Sequence, residues 1–477
     1  MTVTVPGETC WRTAPAPRTA FLIDNHAYYT ALHEALNSAR HSILILGWAF
    51  DPRTRLAPDG FEAPDDPDEI GRILIGLAKT RPELDVRLLI WKSLLGVNGS
   101  QDFLRHRAQS SFARTPVKFR LDNSVPFGAC HHQKIVVIDN RLAFCGGGDM
   151  VTNRWDCSSH LHNDPRRILP EQSHHPARHE VMMMVDGPPA EILGDLFRER
   201  WREATGEIMA ASVRPDSDPW PSRVLPNIFD SDVAIARTQP GWKGRTTVDE
   251  IRKLTLACIE DAKHTIYLEN QYFTSPLIVG ALAARLADRD GPEVVLISTG
   301  HAPSWFDQLT MDSARNPMIH RLRDADLFGR FCAFWPRTSY GDAIVVHSKV
   351  SIFDDRIARV GSANLNNRSG GYDTECELAV LADNEASRRG IAAFQDRLVS
   401  HFLAVSTDAL VQARIAHGGL VAAIKALNQK DRLAPIITPT SNCLEEFVTS
   451  LHLGDPTCVS DSWRLRRCHW ETRPAST

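Results

Sequence analysis

The stretch HQKIVVID at residues 132–139 has a second copy, HSKVSIFD, at residues 347–354. Both copies have the form His-x-Lys-x4-Asp, and identical or similar residues follow them at the same spacing without a gap. A shorter pair lies upstream, where ARHSI at 39–43 matches AKHTI at 262–266. Because two motifs in two matching contexts indicate an internal duplication, we expect a fold of two similar halves.

Each half alternates amphipathic segments with apolar runs. Segments typical of helices and strands occur in the same order twice, at 24–38, 42–48, 69–79 and 85–91 and again at 249–262, 265–272, 278–290 and 293–298. This alternation predicts an α/β fold.

A proline-rich stretch, RPDSDPWP at 214–221, separates the two copies of the motif. Three prolines among short polar residues suit neither a helix nor a central strand, so residues 214–228 are predicted to be a linker. The first half is then 1–213 and the second 229–405, while 406–477 holds a helical segment and a tail.

The composition is that of an ordinary globular protein, with 43% apolar and 23% charged residues. A net charge of −4 gives no electrostatic case for a polyanionic partner, so nucleic acid is not expected. Ten scattered cysteines without a C-x-x-C pair suit a reducing compartment. Residues 1–18 hold no apolar signal core, and no apolar run reaches 18 residues. We therefore expect a soluble protein in the cytoplasm or at the periphery of a membrane, with export by a non-Sec route as the alternative.

The histidines and lysines of the two motifs are the main candidates for chemistry. Alternate residues of a strand share a face, so His132 and Lys134 should project together, as should His347 and Lys349. If the halves pack about a pseudo-two-fold axis, all four side chains converge at their interface. One neutral histidine can then attack the phosphorus of a phosphodiester, and the other, protonated, can protonate the leaving alkoxide. The lysines would stabilise the added charge of the transition state, so no metal or cofactor is required.

Other residues near the motifs are candidates for supporting roles. Small residues let backbone N–H groups approach an anion, and polar ones add donors. The candidates for holding the phosphate are Gly147, Asp149, Ser362 and Asn364.

Each imidazole also needs a carboxylate that fixes its tautomer. The candidates are Glu375, with Asp373 beside it, and Glu180, with Asp156 behind it.

Asp139 and Asp354 complete the two motifs and belong to the candidate catalytic set. A carboxylate at the end of a strand nevertheless more often supports the structure through hydrogen bonds than acts on a substrate.

These residues resemble the phospholipase D superfamily, whose signature is the duplicated His-x-Lys-x4-Asp. The similarity extends to YLENQYF at 267–273 and to GSANLNNRSGGYDTE at 361–375. GGD at 147–149 with RWD at 154–156 is similar to the larger, phospholipid-cleaving members. So is HE at 179–180, although Glu180 stands where that pattern more often has Asp.

The resemblance covers roughly residues 18–405. It implies two α/β/α-sandwich halves with the active site at their interface, and a phosphohistidine intermediate. It also implies that His132 is the nucleophile and His347 the general acid, roles that the nearly symmetric sequence leaves open.

The leading hypothesis is a phospholipase D-type phosphodiesterase that hydrolyses or transphosphatidylates glycerophospholipids at a membrane surface. A cardiolipin-synthase-like phosphatidyl transferase has the same chemistry, but the missing transmembrane segments argue mildly against it. A nuclease would favour a basic surface, and this chain is net acidic. A non-catalytic lipid-binding module is the third alternative, against which both intact motifs argue. Because the duplication places a complete site in one chain, a monomer is sufficient.

Two further features invite a functional interpretation. Six histidines cluster in the first half but match no strong ligand spacing, so we predict no metal and expect polar, solvent-exposed loops. They are His131, His160, His162, His174, His175 and His179. The stretch WRLRRCHW at 463–470 could contact an anionic membrane surface, although such tails are more often solvated or packed on their own domain.

Overall fold

A computed structural model describes residues 3–60, 68–93, 99–210, 218–301, 308–438 and 454–458. The first residues of the expected linker, 214–217, and the basic aromatic stretch 463–470 lie outside the described residues.

Within these residues the helices are numbered α1 to α10 and the strands β1 to β18 in chain order. The helices are Asp24–Ser38, Ile70–Thr80, Gly99–Phe112, Pro188–Thr205, Glu250–Asp261, Pro276–Ala287, Ser313–Ala325, Glu385–Leu403, Thr407–His417 and Leu420–Leu427. The strands are Arg12–Ile23, Ser42–Gly47, Asp85–Trp91, Lys118–Asp122, Ile135–Ile138, Leu142–Gly146, Arg178–His179, Val181–Asp186, Ile228–Gln239, Val248–Asp249, Thr265–Asn270, Glu293–Ile297, Phe331–Pro336, Val345–Val346, Lys349–Phe353, Ile357–Gly361, Glu375–Leu381 and Leu433–Pro435.

The strand order repeats between the halves. One half runs β4-β3-β2-β5-β6-β8-β1, and the other runs β13-β12-β11-β15-β16-β17-β9, with β18 at the outer edge. The first three strands of each series are parallel and the remaining neighbours are antiparallel. β1 and β9 pair antiparallel and so join the two series into one sheet. The expected duplication and α/β fold are confirmed.

Helices cover both faces of this sheet. Alternate residues of β5 face different cores, since Ile135 and Val137 pack in one cluster and Val136 and Ile138 in another. The first cluster spans both halves and includes α4 and α8. Phe21 of β1 stacks on Phe394 of α8, with ring centroids 3.9 Å apart, so the second half's last helix packs on the first half's first strand.

The ends of α4 and α8 are set by local sequence. Pro188 and Pro189 begin α4, and Gly206, with φ 78°, ends it in the left-handed conformation that glycine adopts easily. Asn384 caps α8, where its side chain accepts from the backbone N–H groups of Ala386 and Ser387. No single described helix has the length and apolar composition to cross a membrane; α9 and α10 pass that test only as a pair, across a 119° bend.

The motif strands begin later than expected. β5 starts at Ile135, so His132 and Lys134 precede it rather than alternate within it. In the second half, Lys349 is the first residue of β15, and His347 lies in the break after β14. The histidines therefore lie at the entry to the strands, where a loop can bring them to the junction between the halves.

Candidate active site

His132 is held by the opposite half of the chain. Its Nδ1 lies 3.0 Å from Oε2 of Glu375 and 3.0 Å from the carbonyl oxygen of Ser362. A carbonyl oxygen only accepts hydrogen bonds, so Nδ1 carries the hydrogen and Nε2 the lone pair. The Glu375 carboxylate also accepts from the hydroxyl groups of Ser362 at 2.5 Å and Ser369 at 2.7 Å. His132 is thus oriented with a nucleophilic nitrogen on the side away from its carboxylate.

His347 faces a carboxylate of the first half. Its Nδ1 lies 2.9 Å from Oε1 of Glu180, which is ion-pair distance, but neither atom makes a hydrogen bond to a described residue. Glu180 precedes β8 and Glu375 begins β17, and these two strands occupy equivalent positions in the repeated order. The two histidine–carboxylate pairs are therefore related by the duplication.

Short backbone pairings align each histidine with the opposite half. His132 N–H donates to the carbonyl oxygen of Thr374, directly before Glu375, at 2.9 Å. His347 N–H donates to the carbonyl oxygen of His179, directly before Glu180, also at 2.9 Å. β14 pairs parallel with β7 just upstream of His347. Each half thus supplies the segment that positions the other half's histidine.

The two lysines are almost fully buried beside the histidines. Lys134 Nζ donates to the carbonyl oxygen of His132 at 2.7 Å and lies 3.3 Å from Oδ2 of Asp149. Lys349 Nζ donates to the carbonyl oxygen of His347. Each lysine is therefore anchored to the backbone of the histidine in its own motif.

The charges of both motifs act on one site. Burial lowers the pKa of His132 well below its ordinary value, and the ammonium groups of Lys134 and Lys349 lower it further. Burial, Lys349 and Arg154 similarly lower the pKa of His347. Geometry agrees with this proximity, since a methyl group at Gly147 would lie 2.9 Å from the carbonyl oxygen of His347 and 3.3 Å from Cδ of Lys349. Gly147 is two residues before Asp149, the ion-pair partner of Lys134.

Two other groups near this centre titrate close to neutrality. Burial lowers the pKa of Lys349 to about 7, against the opposing charge of Glu180. Burial raises the pKa of Glu375 to about 8, against the opposing charge of Lys134.

Some of the predicted supporting residues contact the motif histidines and lysines, and others contact different neighbours. Asp149 accepts from the backbone N–H groups of Trp48 at 3.0 Å and Ala49 at 3.1 Å, besides its ion pair with Lys134. A methyl group added at Gly147 would lie 2.9 Å from the carbonyl oxygen of His347 and 3.0 Å from Oε2 of Glu180, so glycine permits this close approach.

Asn364, in contrast, accepts no hydrogen bond at its buried Oδ1 from any described residue, while its backbone N–H donates to Ser369 at 3.1 Å. Asp373 lies near Glu375 but binds the guanidinium of Arg368 and the backbone N–H of Cys130. Asp156 binds His160, as detailed below, rather than either motif histidine.

Asp139 and Asp354, which belong to the candidate catalytic set, make hydrogen bonds to the backbone of their own halves. Asp139 accepts from three backbone N–H groups, those of Arg40, His41 and Ser42, at 2.7 to 2.8 Å. Asp354 accepts from the equivalent N–H groups at 263–265, at 2.8 to 3.0 Å. These bonds tie the far end of each motif strand to the start of its neighbour, so both carboxylates are committed to the fold. The matching upstream segments, 39–43 and 262–266, supply these donors.

The expectation of solvent-exposed histidine loops is wrong for several members. Four of the six histidines are buried: His131, His160, His175 and His179. His131, next to His132, hydrogen-bonds through Nδ1 with the hydroxyl group of Thr374, and its Nε2 lies 3.0 Å from Oδ2 of Asp122. Sequence reasoning missed this because the packing that buries these side chains is a tertiary feature with no local periodicity.

The comparisons agree with this architecture. The family model described as phospholipase D matches residues 35–277, and one described as cardiolipin synthase, PLD-like domain, matches residues 255–398. Since the first match alone covers slightly more than half of the chain, the protein belongs to the phospholipase D family.

Curated relatives extend the match. Phospholipase D A of Dictyostelium discoideum is 24% identical in an alignment 426 positions long, which covers 76% of this chain and 32% of that protein. Phospholipase D1 of Saccharomyces cerevisiae is 24% identical in an alignment 463 positions long, which covers 76% of this chain and 26% of that protein. The chain thus spans only about a quarter to a third of the length of these relatives.

A solved structure supports the fold. The phosphatidylserine synthase of Haemophilus influenzae Rd KW20 superposes with a TM-score of 0.56 at 15% identity, covering 81% of this chain and 88% of that one.

Proposed function

We propose that the chain is a phospholipase D-type phosphodiesterase that cleaves the distal phosphodiester bond of a glycerophospholipid and passes the phosphatidyl group to water or to an alcohol. The reciprocal pairing of His132 with Glu375 and of His347 with Glu180 carries this proposal. It sets each imidazole against a buried carboxylate and beside two buried lysines, which is the set that a two-step displacement at phosphorus needs.

In the first step Nε2 of His132 attacks the phosphorus, and His347 gives its proton to the leaving alkoxide of the head group. The hydrogen on Nδ1 of His132, held by Ser362 and Glu375, leaves Nε2 free for this attack. The positive charge of the resulting phosphorylated imidazole opposes the raised pKa of Glu375, about 8 without substrate, and favours the carboxylate form, which stabilises this intermediate. The product is a phosphatidyl group bound to His132.

In the second step His347, now neutral, removes a proton from water or an alcohol as its oxygen attacks the phosphorus. His132 leaves, and phosphatidic acid or a phosphatidyl alcohol is released. Lys134 and Lys349 face the extra negative charge of both transition states.

A bound phosphodiester would also affect the protonation of His347. Without substrate, burial and the lysine charges lower the pKa of His347 well below its ordinary value, which would leave it unprotonated. The negative charge of a phosphodiester next to the lysines opposes this effect and favours the protonated, acidic form. Substrate binding would therefore be coupled to proton uptake.

Apolar residues beside His132 favour a lipid over a nucleic acid. Trp48 lies with its ring centroid 6.3 Å from that of His132, in an edge-to-face arrangement, and packs with Trp91 and Tyr372. The Tyr372 hydroxyl donates to the backbone of Phe127, whose side chain is 50% exposed. This apolar cluster beside His132, next to an exposed phenylalanine, suits a glycerophospholipid, so we propose that the protein works as a peripheral protein at a lipid surface. One chain supplies every residue of the site, and a monomer is sufficient.

Transfer to an alcohol is the second candidate, favoured by the match to the cardiolipin synthase PLD-like domain over residues 255–398. The chemistry is the same, and only the acceptor of the phosphatidyl group differs.

The test is incubation with phosphatidylcholine and phosphatidylglycerol vesicles, with and without ethanol, followed by lipid analysis. We expect phosphatidic acid without ethanol, phosphatidylethanol with it, and neither with His132→Asn. His417→Asn, which changes an exposed histidine on α9, is the matched control and should keep full activity. Cardiolipin from phosphatidylglycerol would assign the transferase role. Cleavage of plasmid DNA with every lipid left intact would overturn the proposal.

A further inference from the structure

A second cluster of ionisable side chains lies buried behind the active site. It consists of Asp24 at the start of α1, His160 in the loop after β6, His179 in β7, and His401 in the last turn of α8. The side chains of Asp24, His160 and His401 are 1%, 2% and 7% exposed. Residues from both halves therefore meet here away from bulk water.

Three atoms of the cluster have the geometry of a metal site. Nε2 of His160 lies 2.9 Å from Nε2 of His401, and these atoms lie 3.7 and 3.8 Å from Oδ2 of Asp24. The point equidistant from all three lies roughly 2 Å from each, which is the length of a Zn–N or Zn–O bond. Two nitrogens and one carboxylate oxygen form a donor set that first-row divalent metals bind.

The neighbours of His160 fix the tautomer that a ligand needs. Its Nδ1 lies 2.8 Å from Oδ2 of Asp156. Asp156 also accepts from the backbone N–H of Arg178 at 2.8 Å and the guanidinium of Arg167 at 3.2 Å, so it is a carboxylate. Nδ1 of His160 therefore donates, and the lone pair of Nε2 points at His401 and Asp24. A carboxylate behind a ligating histidine is the usual support of a metal site.

His179 orients the third ligand rather than acting as a fourth. Its Nδ1 lies 2.8 Å from Oδ1 of Asp24, and its Nε2 lies 2.9 Å from Oε2 of Glu269. Both nitrogens face carboxylates, so both donate. This arrangement occupies Oδ1 of Asp24, so Oδ2 faces His160 and His401. Oδ2 also accepts a hydrogen bond from the Ser158 hydroxyl at 2.8 Å.

We propose that Asp24, His160 and His401 bind one divalent transition-metal ion, with Zn²⁺ the first candidate. The ion would tie α1 and the loop after β6 to α8, and so fasten the two halves together. It would also support the active site from behind. His179 directly precedes Glu180 in the chain, and its carbonyl oxygen accepts the N–H of His347. The metal would be structural, and the histidine chemistry would proceed without its direct contact.

The competing interpretation is a hydrogen bond between His401 and His160 with no ion between them. The two differ in a measurement that does not depend on lipid cleavage. The test is the metal content of the full-length protein by inductively coupled plasma mass spectrometry, followed by titration of the metal-stripped protein with Co²⁺. Tetrahedral Co²⁺ with nitrogen and oxygen ligands has a visible absorption band that hydrated Co²⁺ lacks.

We expect about one equivalent of bound metal, a saturable Co²⁺ band, and a lower melting temperature after stripping. His401→Ala and His160→Ala should lose the metal and the band. His417→Ala and His162→Ala, which change histidines outside the cluster, should keep both. Wild-type protein with less than a tenth of an equivalent and no saturable Co²⁺ band would overturn the proposal, and this result stands even if a cluster variant fails to fold.

Discussion

Nδ1 of His132 lies 3.0 Å from Oε2 of Glu375, a residue 243 positions further along the chain. The equivalent pair, His347 and Glu180, connects the halves in the opposite direction at 2.9 Å. Each motif histidine therefore takes its carboxylate from the other half of the chain. The junction between the halves, and not either half alone, forms the site.

Replacing the carboxylates should slow the chemistry without greatly weakening substrate binding. Glu375→Gln and Glu180→Gln remove the charge that stabilises a charged imidazole, so we expect kcat to fall by about 10²-fold or more, with KM nearly unchanged. Glu375→Gln should be the milder change, because the Ser362 carbonyl oxygen still fixes the tautomer of His132. Steady-state kinetics on vesicles, with circular dichroism as the check of folding, measure this. Wild-type kcat in both variants would contradict the assigned pairs.

A methyl group at Gly147 should disturb the site more than the fold. In Gly147→Ala it would press on the His347 carbonyl oxygen and on Glu180 at 2.9 and 3.0 Å. A displacement of that size can cost about 10²-fold in kcat. The control is Gly76→Ala in α2, where the added methyl would meet no described atom within 4 Å; it should keep wild-type activity, with a melting temperature equal to or above that of wild type. Equal activity of the two variants would show that the close approach is unimportant.

Asp139→Asn and Asp354→Asn should affect stability rather than chemistry. Each carboxylate accepts hydrogen bonds from three backbone N–H groups. In an asparagine, the side-chain NH₂ group replaces one of the accepting oxygens and opposes at least one of these N–H donors. The free energy of unfolding should fall by about 1–3 kcal/mol in each variant. The single-turnover rate of the folded fraction should stay within a few-fold of wild type. Urea denaturation and single-turnover assays measure the two effects, and a hundredfold slower rate in stable protein would return the aspartates to the catalytic set.

Anion binding should weaken as the pH rises through neutrality. The pKa of Lys349 is lowered to about 7, so its ammonium form predominates below pH 7 and is lost above it. Glu375, whose pKa is raised to about 8, gains negative charge in the same direction. The histidines titrate below this range.

We therefore expect the Kd for tungstate to rise between about pH 6 and pH 9, by at most about tenfold per pH unit for each group. Isothermal titration calorimetry measures it, together with proton uptake on binding. Lys349→Met should bind weakly and with a flatter profile. A wild-type Kd that does not change with pH would refute the role of Lys349.

The sequence predicted the repeated elements well because their signals are local. The helix Asp24–Ser38 and the strand Asp85–Trp91 have the expected bounds, since periodicity and flanking residues decide them. The gap-free motif repeat likewise predicted the duplication. The motif strands start later than expected because pairing with the opposite half, which is a tertiary contact, replaces the regular ladder around His132 and His347.

The supporting contacts could not be derived in the same way. Sequence reasoning named Glu180 and Glu375 but gave no sign that each serves the histidine of the other half. His401 lies 241 positions from His160, and nothing in the local sequence marks it as a partner. Three-dimensional pairing of buried polar groups has no sequence period, so only the folded chain shows it.

The central claim is that His132 forms a covalent bond to the phosphatidyl group while His347 handles the proton. The most direct test is rapid quenching of His347→Asn, His132→Asn and wild type after mixing with phosphatidylcholine labelled with ³²P. We expect an acid-labile label that accumulates in His347→Asn and is absent from His132→Asn. Peptide mapping should locate this label within residues 132–139. Label on His347, or full turnover by His132→Asn, would contradict it.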